Sequence, residues 1–146
     1  MKVLIVEDDP FKLKAIRRVI EPIGDSIEVA TSLRGAMIAL EGGQFNFVVL
    51  DMAIPSHTSD VGAIDTYSQP VGGLDVLLFL ASNDRPERVV ILTQHPTVEY
   101  NRRHVALKEL QQMLTDDGVS NVAGAVLFSD KGEWETSLLT TLGAAA

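Results

Sequence analysis

The 146-residue sequence contains no cysteine. Disulfides, thiolate metal sites and a cysteine nucleophile are thereby excluded, and a reducing compartment is permitted. Positive charge is scarce. Lys and Arg number 12 against 20 Asp and Glu, a formal net charge of −8. A uniformly acidic chain repels phosphate backbones, so direct nucleic-acid binding is not expected. No apolar run approaches the ~18 residues of a membrane-spanning helix. The opening apolar run, Val3 to Val6, is cut short by Glu7-Asp8-Asp9 before it reaches the length of a signal peptide's core. His57, His95 and His104 form no metal-binding spacing with one another. Hydrophobic residues are 46% and charged residues 22%, which excludes wholesale disorder. The expectation is one cytoplasmic domain over residues 1–142, with a short tail at 143–146.

Short β-branched apolar runs alternate with amphipathic stretches. Val3-Leu4-Ile5-Val6 reads as a strand buried on both faces, as strands of parallel sheets are. Asp9-Pro10 then opens a helix, Asp as its cap and Pro at its first position. Leu13, Ile16 and Ile20 form its apolar stripe, widened by Phe11, Ala15 and Val19. Lys12, Lys14, Arg17 and Arg18 are placed on its remaining face. A second strand at 27–30 precedes a helix capped by Ser32 and closed by Gly42-Gly43. A third strand covers 47–50, and a long polar loop spans 52–72. A buried helix follows over 74–80, then a fourth strand at 89–92. Val98 to Leu114 reads as a long helix, 125–128 as a fifth strand, and Trp134 to Leu142 as a last helix. Five such alternations predict an α/β fold, a doubly wound five-stranded parallel sheet with helices on both faces.

In such sheets, ligands gather beyond the carboxyl ends of the strands. There the first strand ends in Glu7-Asp8, the third in Asp51 and the fourth in Thr93, and the fifth leads into Ser129-Asp130-Lys131. Clustered carboxylates need a cation to coexist ionised. An all-oxygen donor set suits a hard ion such as magnesium. With a hydroxyl and a lysine at the rim, the set fits a phosphoryl group, and aspartate is a competent nucleophile toward phosphorus. Taken singly, these residues have plainer readings: Asp8 and Thr93 as helix caps, Asp51 as a turn residue, Lys131 as a surface charge. Their shared position at the same end of four of the five strands favours a site.

The chain resembles a response-regulator receiver domain, the phosphoacceptor half of two-component signalling. VLIVEDDP is similar to the family's first strand and acidic pair, and VVLDMAIP to its third strand and phosphoacceptor. VVILT is similar to its fourth strand with the switch threonine, and GAVLFSDK to its Gly-Ala-x-x-aromatic-x-x-Lys ending. The resemblance covers nearly the whole chain. It implies a (βα)5 flavodoxin-like receiver fold with strand order 2-1-3-4-5. It makes Asp51 the phosphoacceptor and Asp8 a direct magnesium ligand. Glu7 would act through a metal-bound water, and Ala53 would lend its backbone carbonyl. Thr93 and Lys131 would contact the phosphoryl oxygens, and Thr93 with Phe128 would form the switch. The implied donor is a histidine kinase or a histidine phosphotransfer protein. The implied output is a downstream protein that reads the fourth helix, fifth strand and fifth helix, with a homodimer as a further option. Such a protein is a signalling switch rather than an enzyme, although it promotes its own phosphorylation and slow dephosphorylation.

Several features depart from the family's pattern. The loop between Pro55 and Gly73 and the interval from Thr93 to Lys131 are both long, the second read as an extended fourth helix or an added loop near Asp116-Asp117-Gly118. Gln94 stands where a small residue is common, and Gly132 where a proline is common. Ala53 and His95 hold positions that tune water access, and Ala53 cannot orient a water, so a long-lived aspartyl phosphate is expected. The basic face of the first helix suits either solvent or a phosphodonor. Trp134 reads as a partly buried anchor. The alternative function is an interaction or dimerisation module of the same fold that does not use phosphorylation. A dehalogenase-type phosphohydrolase is disfavoured, because it needs an acid where Ala53 stands.

Overall fold

A computed structural model describes residues 1–56 and 72–145. The apolar runs become strands of one parallel sheet. Strand β1 (Lys2–Val6) lies between β2 (Ser26–Ala30) and β3 (Phe47–Leu50). Strands β4 (Arg88–Thr93) and β7 (Val122–Leu127) extend it to the order β2-β1-β3-β4-β7. All four pairings are parallel. With the two strands of a separate hairpin set aside, this is the order 2-1-3-4-5 that the resemblance implied.

Because successive side chains of a strand point to opposite faces, each strand feeds two cores. Leu4, Val6, Val48, Leu50 and Ile91 face the helices α2 (Leu33–Gly42), α3 (Gly72–Ser82) and α4 (Leu107–Asp116). Val3, Ile5, Phe47, Val49 and Val90 face α1 (Pro10–Ile20) and α5 (Glu133–Ala145). Burial on both sides explains why these strands read as continuous apolar runs rather than alternating ones. Helix entries follow their chemistry. The Asp9 carboxylate accepts from the Phe11 N–H at 2.9 Å, and the Ser32 hydroxyl accepts from the Gly35 N–H at 3.0 Å. The first two N–H groups of α2, from Leu33 and Arg34, donate to the carbonyls of Pro55 and Ser56. The chain leaving β3 is thus tied to a helix end whose donors lack partners within the helix.

Four expectations are corrected. The stretch from Val98 is not a long helix. It is an antiparallel hairpin of β5 (Thr97–Tyr100) and β6 (Arg103–Ala106), and α4 begins only at Leu107. Val98, Tyr100 and Val105 alternate with exposed residues and bury against the α4 side of the core. Asn101 and Arg102 both adopt positive φ, 53° and 63°, as the central pair of a tight hairpin turn does. Secondly, Phe11 does not widen the apolar stripe of α1, for it is 74% exposed. Thirdly, Lys12 is not on the face away from the apolar stripe; it is 1% exposed, in line with the buried Ile16 and Ile20. Trp134 is fully rather than partly buried. Most of the long loop after Pro55 falls on residues 57–71, outside the described residues.

Candidate functional site

The sheet register brings the acids together. The Glu7 N–H donates to the Ala30 carbonyl at 3.0 Å, and the Asp51 N–H donates to the Val6 carbonyl at 3.1 Å. Glu7, Asp8 and Asp51 therefore leave adjacent strands at the same carboxyl edge, and each presents a carboxylate oxygen within 4.8 Å of the others. Glu7 and Asp51 are buried while Asp8 is exposed. Burial, with the neighbouring Asp51 charge adding to it, pushes the Glu7 carboxyl up to about 7, even though Lys12 opposes the shift. Burial also raises Asp8, helped by Asp51 and Asp9. Two buried carboxylates side by side repel, which disfavours the charged form of Glu7.

One cation already stands among them. Lys12 Nζ lies 2.8 Å from Glu7 Oε2 and 3.5 Å from Asp51 Oδ2, and it donates to the Leu92 carbonyl at 2.9 Å. The Glu7 contact is a buried ion pair, and its charge opposes the rise of the Glu7 carboxyl. The ammonium also sits 5.6 Å from the centre of the Phe128 ring, which packs on Trp134 at 4.8 Å. Sequence reading missed Lys12 because a lysine was assigned to solvent by type. Its spacing was the available signal, since it stands four and eight residues before the buried Ile16 and Ile20.

The remaining candidates sit as follows. The Ala53 N–H donates to Asp51 Oδ1 at 3.2 Å, closing the chain over the carboxylate. Thr93 is buried at the end of β4, with its hydroxyl accepting from the His95 N–H at 3.2 Å and its carbonyl from the Phe128 N–H at 2.7 Å. Lys131 is exposed in the turn after β7, three residues beyond Phe128, and makes no ion pair among the described residues. Gly132 beside it holds φ +77°, a conformation that proline cannot adopt. Gly73 is a further residue that sequence reading did not single out. A Cβ there would lie 2.5 Å from Met52 Cα and 2.7 Å from the Asp51 carbonyl oxygen. Only glycine lets α3 start against the chain leaving Asp51.

No family model matches the chain. It is 30% identical over 111 residues to the Detocs response regulatory protein DtcB of Vibrio alginolyticus, across 73% of this chain and 74% of that protein. It is 31% identical over 84 residues to the aerobic respiration control sensor protein ArcB of Escherichia coli, across 57% of this chain but only 11% of ArcB. Among solved structures, the response regulator TrrA of Thermotoga maritima, in complex with Mg2+ and BeF, superposes with a TM-score of 0.61 at 16% identity, covering 97% of each chain. Sheet order, acid cluster and these relatives agree. The chain belongs to the response-regulator receiver family, the phosphoacceptor class of two-component signalling. No helix among the described residues is long and apolar enough to cross a membrane.

The cluster fits a divalent cation. Its donors are all oxygen, as magnesium prefers, and the three carboxylates each present one within 4.8 Å of the others. A third, exposed carboxylate at Asp8 lets such an ion meet solvent on one side.

Proposed function

We propose that Asp51 is the phosphoacceptor, taking a phosphoryl group from a histidine kinase or a histidine phosphotransfer protein. The observation that carries this reading is the convergence of Glu7, Asp8 and Asp51 within 4.8 Å at the carboxyl edge of a receiver-type sheet. Asp8 and Asp51, with the Ala53 carbonyl, would hold magnesium directly, and Glu7 would act through its water. The ion supplies charge neutralisation for phosphoryl oxygens that would otherwise repel the acids. Asp51 is held for attack by its own strand and by the Ala53 N–H on Oδ1, which leaves Oδ2 toward the interior. The Thr93 hydroxyl, one strand away, is a donor for a phosphoryl oxygen, and its present acceptor role toward the His95 N–H leaves its own proton free for that bond.

The signal then travels along β4 and β7. Thr93 and Phe128 share a backbone hydrogen bond, so a shift of Thr93 toward the phosphoryl group is felt by the Phe128–Trp134 pair. Such a switch biases two existing arrangements rather than creating a new one. Output would pass through α4, β7 and α5, joined here by the β5–β6 hairpin. Phosphotransfer from a panel of histidine kinases tests the reading. Label is expected on the parent and none on Asp51→Asn; label that persists on Asp51→Asn would refute it.

A further inference from the structure

We infer that Lys12, on α1, is a built-in counter-charge of the acid cluster and sets how tightly that cluster holds a divalent cation. The inference rests on the proposal that Asp8 and Asp51 are magnesium ligands. Its own support is where the ammonium stands. Lys131, which the resemblance assigns to the phosphoryl oxygens, keeps that role.

Lys12 is 1% exposed, and its Nζ lies 2.8 Å from Glu7 Oε2 and 3.5 Å from Asp51 Oδ2. It thus meets two of the three carboxylates that converge within 4.8 Å. The chain fixes this position, not the acids alone. Lys12 stands in line with Ile16 and Ile20, on the face of α1 that is buried against the sheet. The Leu92 carbonyl, near the end of β4, accepts from the ammonium at 2.9 Å. The centre of the Phe128 ring lies 5.6 Å away, within the range of a cation–π contact. Neither of these two groups carries a net charge, so they hold the ammonium at the cluster without neutralising it.

A buried ammonium is costly unless it is paired and hydrogen-bonded. Glu7 and Asp51 are its pairs, and it in turn eases the repulsion between them. The consequence for a further cation is direct. The ammonium cancels one of the cluster's three formal negative charges. It also repels any cation that Asp8 and Asp51 hold, because charges this close and this buried are weakly screened. Lys12 therefore acts in two opposed ways. It keeps the acids compatible with one another, and it weakens their pull on a divalent ion.

The test uses the full chain and magnesium chloride, with binding followed by isothermal titration calorimetry, for the parent, Lys12→Met, Lys12→Arg and Asp8→Ala. Urea unfolding, in chelator and in saturating magnesium, is the second readout. Lys12→Met keeps a stem of similar length and removes the charge. It is expected to bind magnesium at least ~10-fold more tightly than the parent, since a unit charge a few ångströms away acts strongly in a buried site. Lys12→Arg keeps the charge and is expected to stay near the parental affinity. In chelator, Lys12→Met is expected to unfold at lower urea than the parent, and magnesium is expected to recover more stability in it than in the parent. Removing a purely structural lysine would not tighten the metal. A folded Lys12→Met with parental or weaker affinity therefore overturns the inference, as does a Lys12→Arg that binds as tightly as Lys12→Met. If Lys12→Met does not fold, Lys12→Gln, whose amide keeps a donor for the Leu92 carbonyl, decides in the same way. Failure of both neutral variants to fold in saturating magnesium also overturns it, because the charge would then be needed whatever the ion does. Parental binding by Asp8→Ala, or no binding by the parent, refutes the magnesium site itself and the inference with it.

Discussion

Asp51 owes its position to the parallel register of β1 and β3, which ends in the bond from its N–H to the Val6 carbonyl and sets it beside Glu7 before any side chain is considered. What happens next depends on small residues. Ala53 stands two positions on and offers no side-chain group to orient a water. Ala53→Asn is therefore expected to shorten the lifetime of the phosphorylated protein, measured as loss of the mass increment after the donor is removed; an equal or longer lifetime would remove the argument. Gly73 acts by absence, since a methyl group there would overlap Met52 Cα and the Asp51 carbonyl. Gly73→Ala is expected to cost about 1–3 kcal/mol, the usual penalty of overpacking, and to slow labelling because the strain falls on the Asp51–Met52 segment. Urea unfolding and the labelling rate check the two effects separately. Lys12 shows the limit of reading residues by type, because its charge suggests solvent while its spacing places it inside.

At the scale of elements, much of the structure is held by polar bonds between helix ends and strand starts. Arg85, just after α3, donates to the carbonyls of Leu40 and Gly43 at the end of α2, and it pairs with the buried Glu87 at 2.6 Å. Glu87 in turn accepts from the Phe45 N–H at 3.1 Å, ahead of β3. Burial alone would raise Glu87, but the Arg85 and Phe45 hydrogen bonds outweigh it, and the carboxyl ends below its usual value. The sign follows from linkage. A carboxyl held lower in the folded state stabilises above its unfolded value near 4.5, and that stabilisation is lost as pH falls through the folded value. Glu87→Ala is expected to cost about 3–5 kcal/mol at pH 7, because it strands Arg85 in a half-buried site, and the gap between parent and variant should narrow toward pH 3. Urea melts across that range check both statements. The hairpin β5–β6 is anchored in a similar way, by the Tyr100 hydroxyl donating to the Asp117 carboxylate just past α4. That bond, more than burial, pushes the Tyr100 hydroxyl up to about 12.

For the whole molecule, the two cores flank a sheet whose carboxyl edge concentrates negative charge in a chain already at −8. The folded state therefore carries unfavourable repulsion that a divalent ion would relieve. Magnesium is expected to raise the unfolding free energy by about 2.7 kcal/mol at free concentrations ~100 times its dissociation constant, with most of that gain lost in Asp8→Ala. Chemical unfolding with and without magnesium reads this directly, and an equal gain in both proteins would remove Asp8 as a ligand. The β5–β6 hairpin adds Val98, Tyr100 and Val105 to the core on the α4 side of the sheet.

Local chemistry in the sequence was sufficient for the strands, their alternation with helices, the caps at Asp9 and Ser32, and the acids at the strand ends, because period, capping and β-branching act over a few residues. The four-motif resemblance added the strand order. The hairpin was harder to read, since Thr97 to Tyr100 alternates over only four residues, within a stretch that also carries helical spacing. Tertiary structure alone decided which lysine stands among the acids, why two glycines open α3, and how Arg85 and Glu87 join separate elements. Each of these depends on which groups meet across the folded sheet, and a buried charge is stable only where its partners converge.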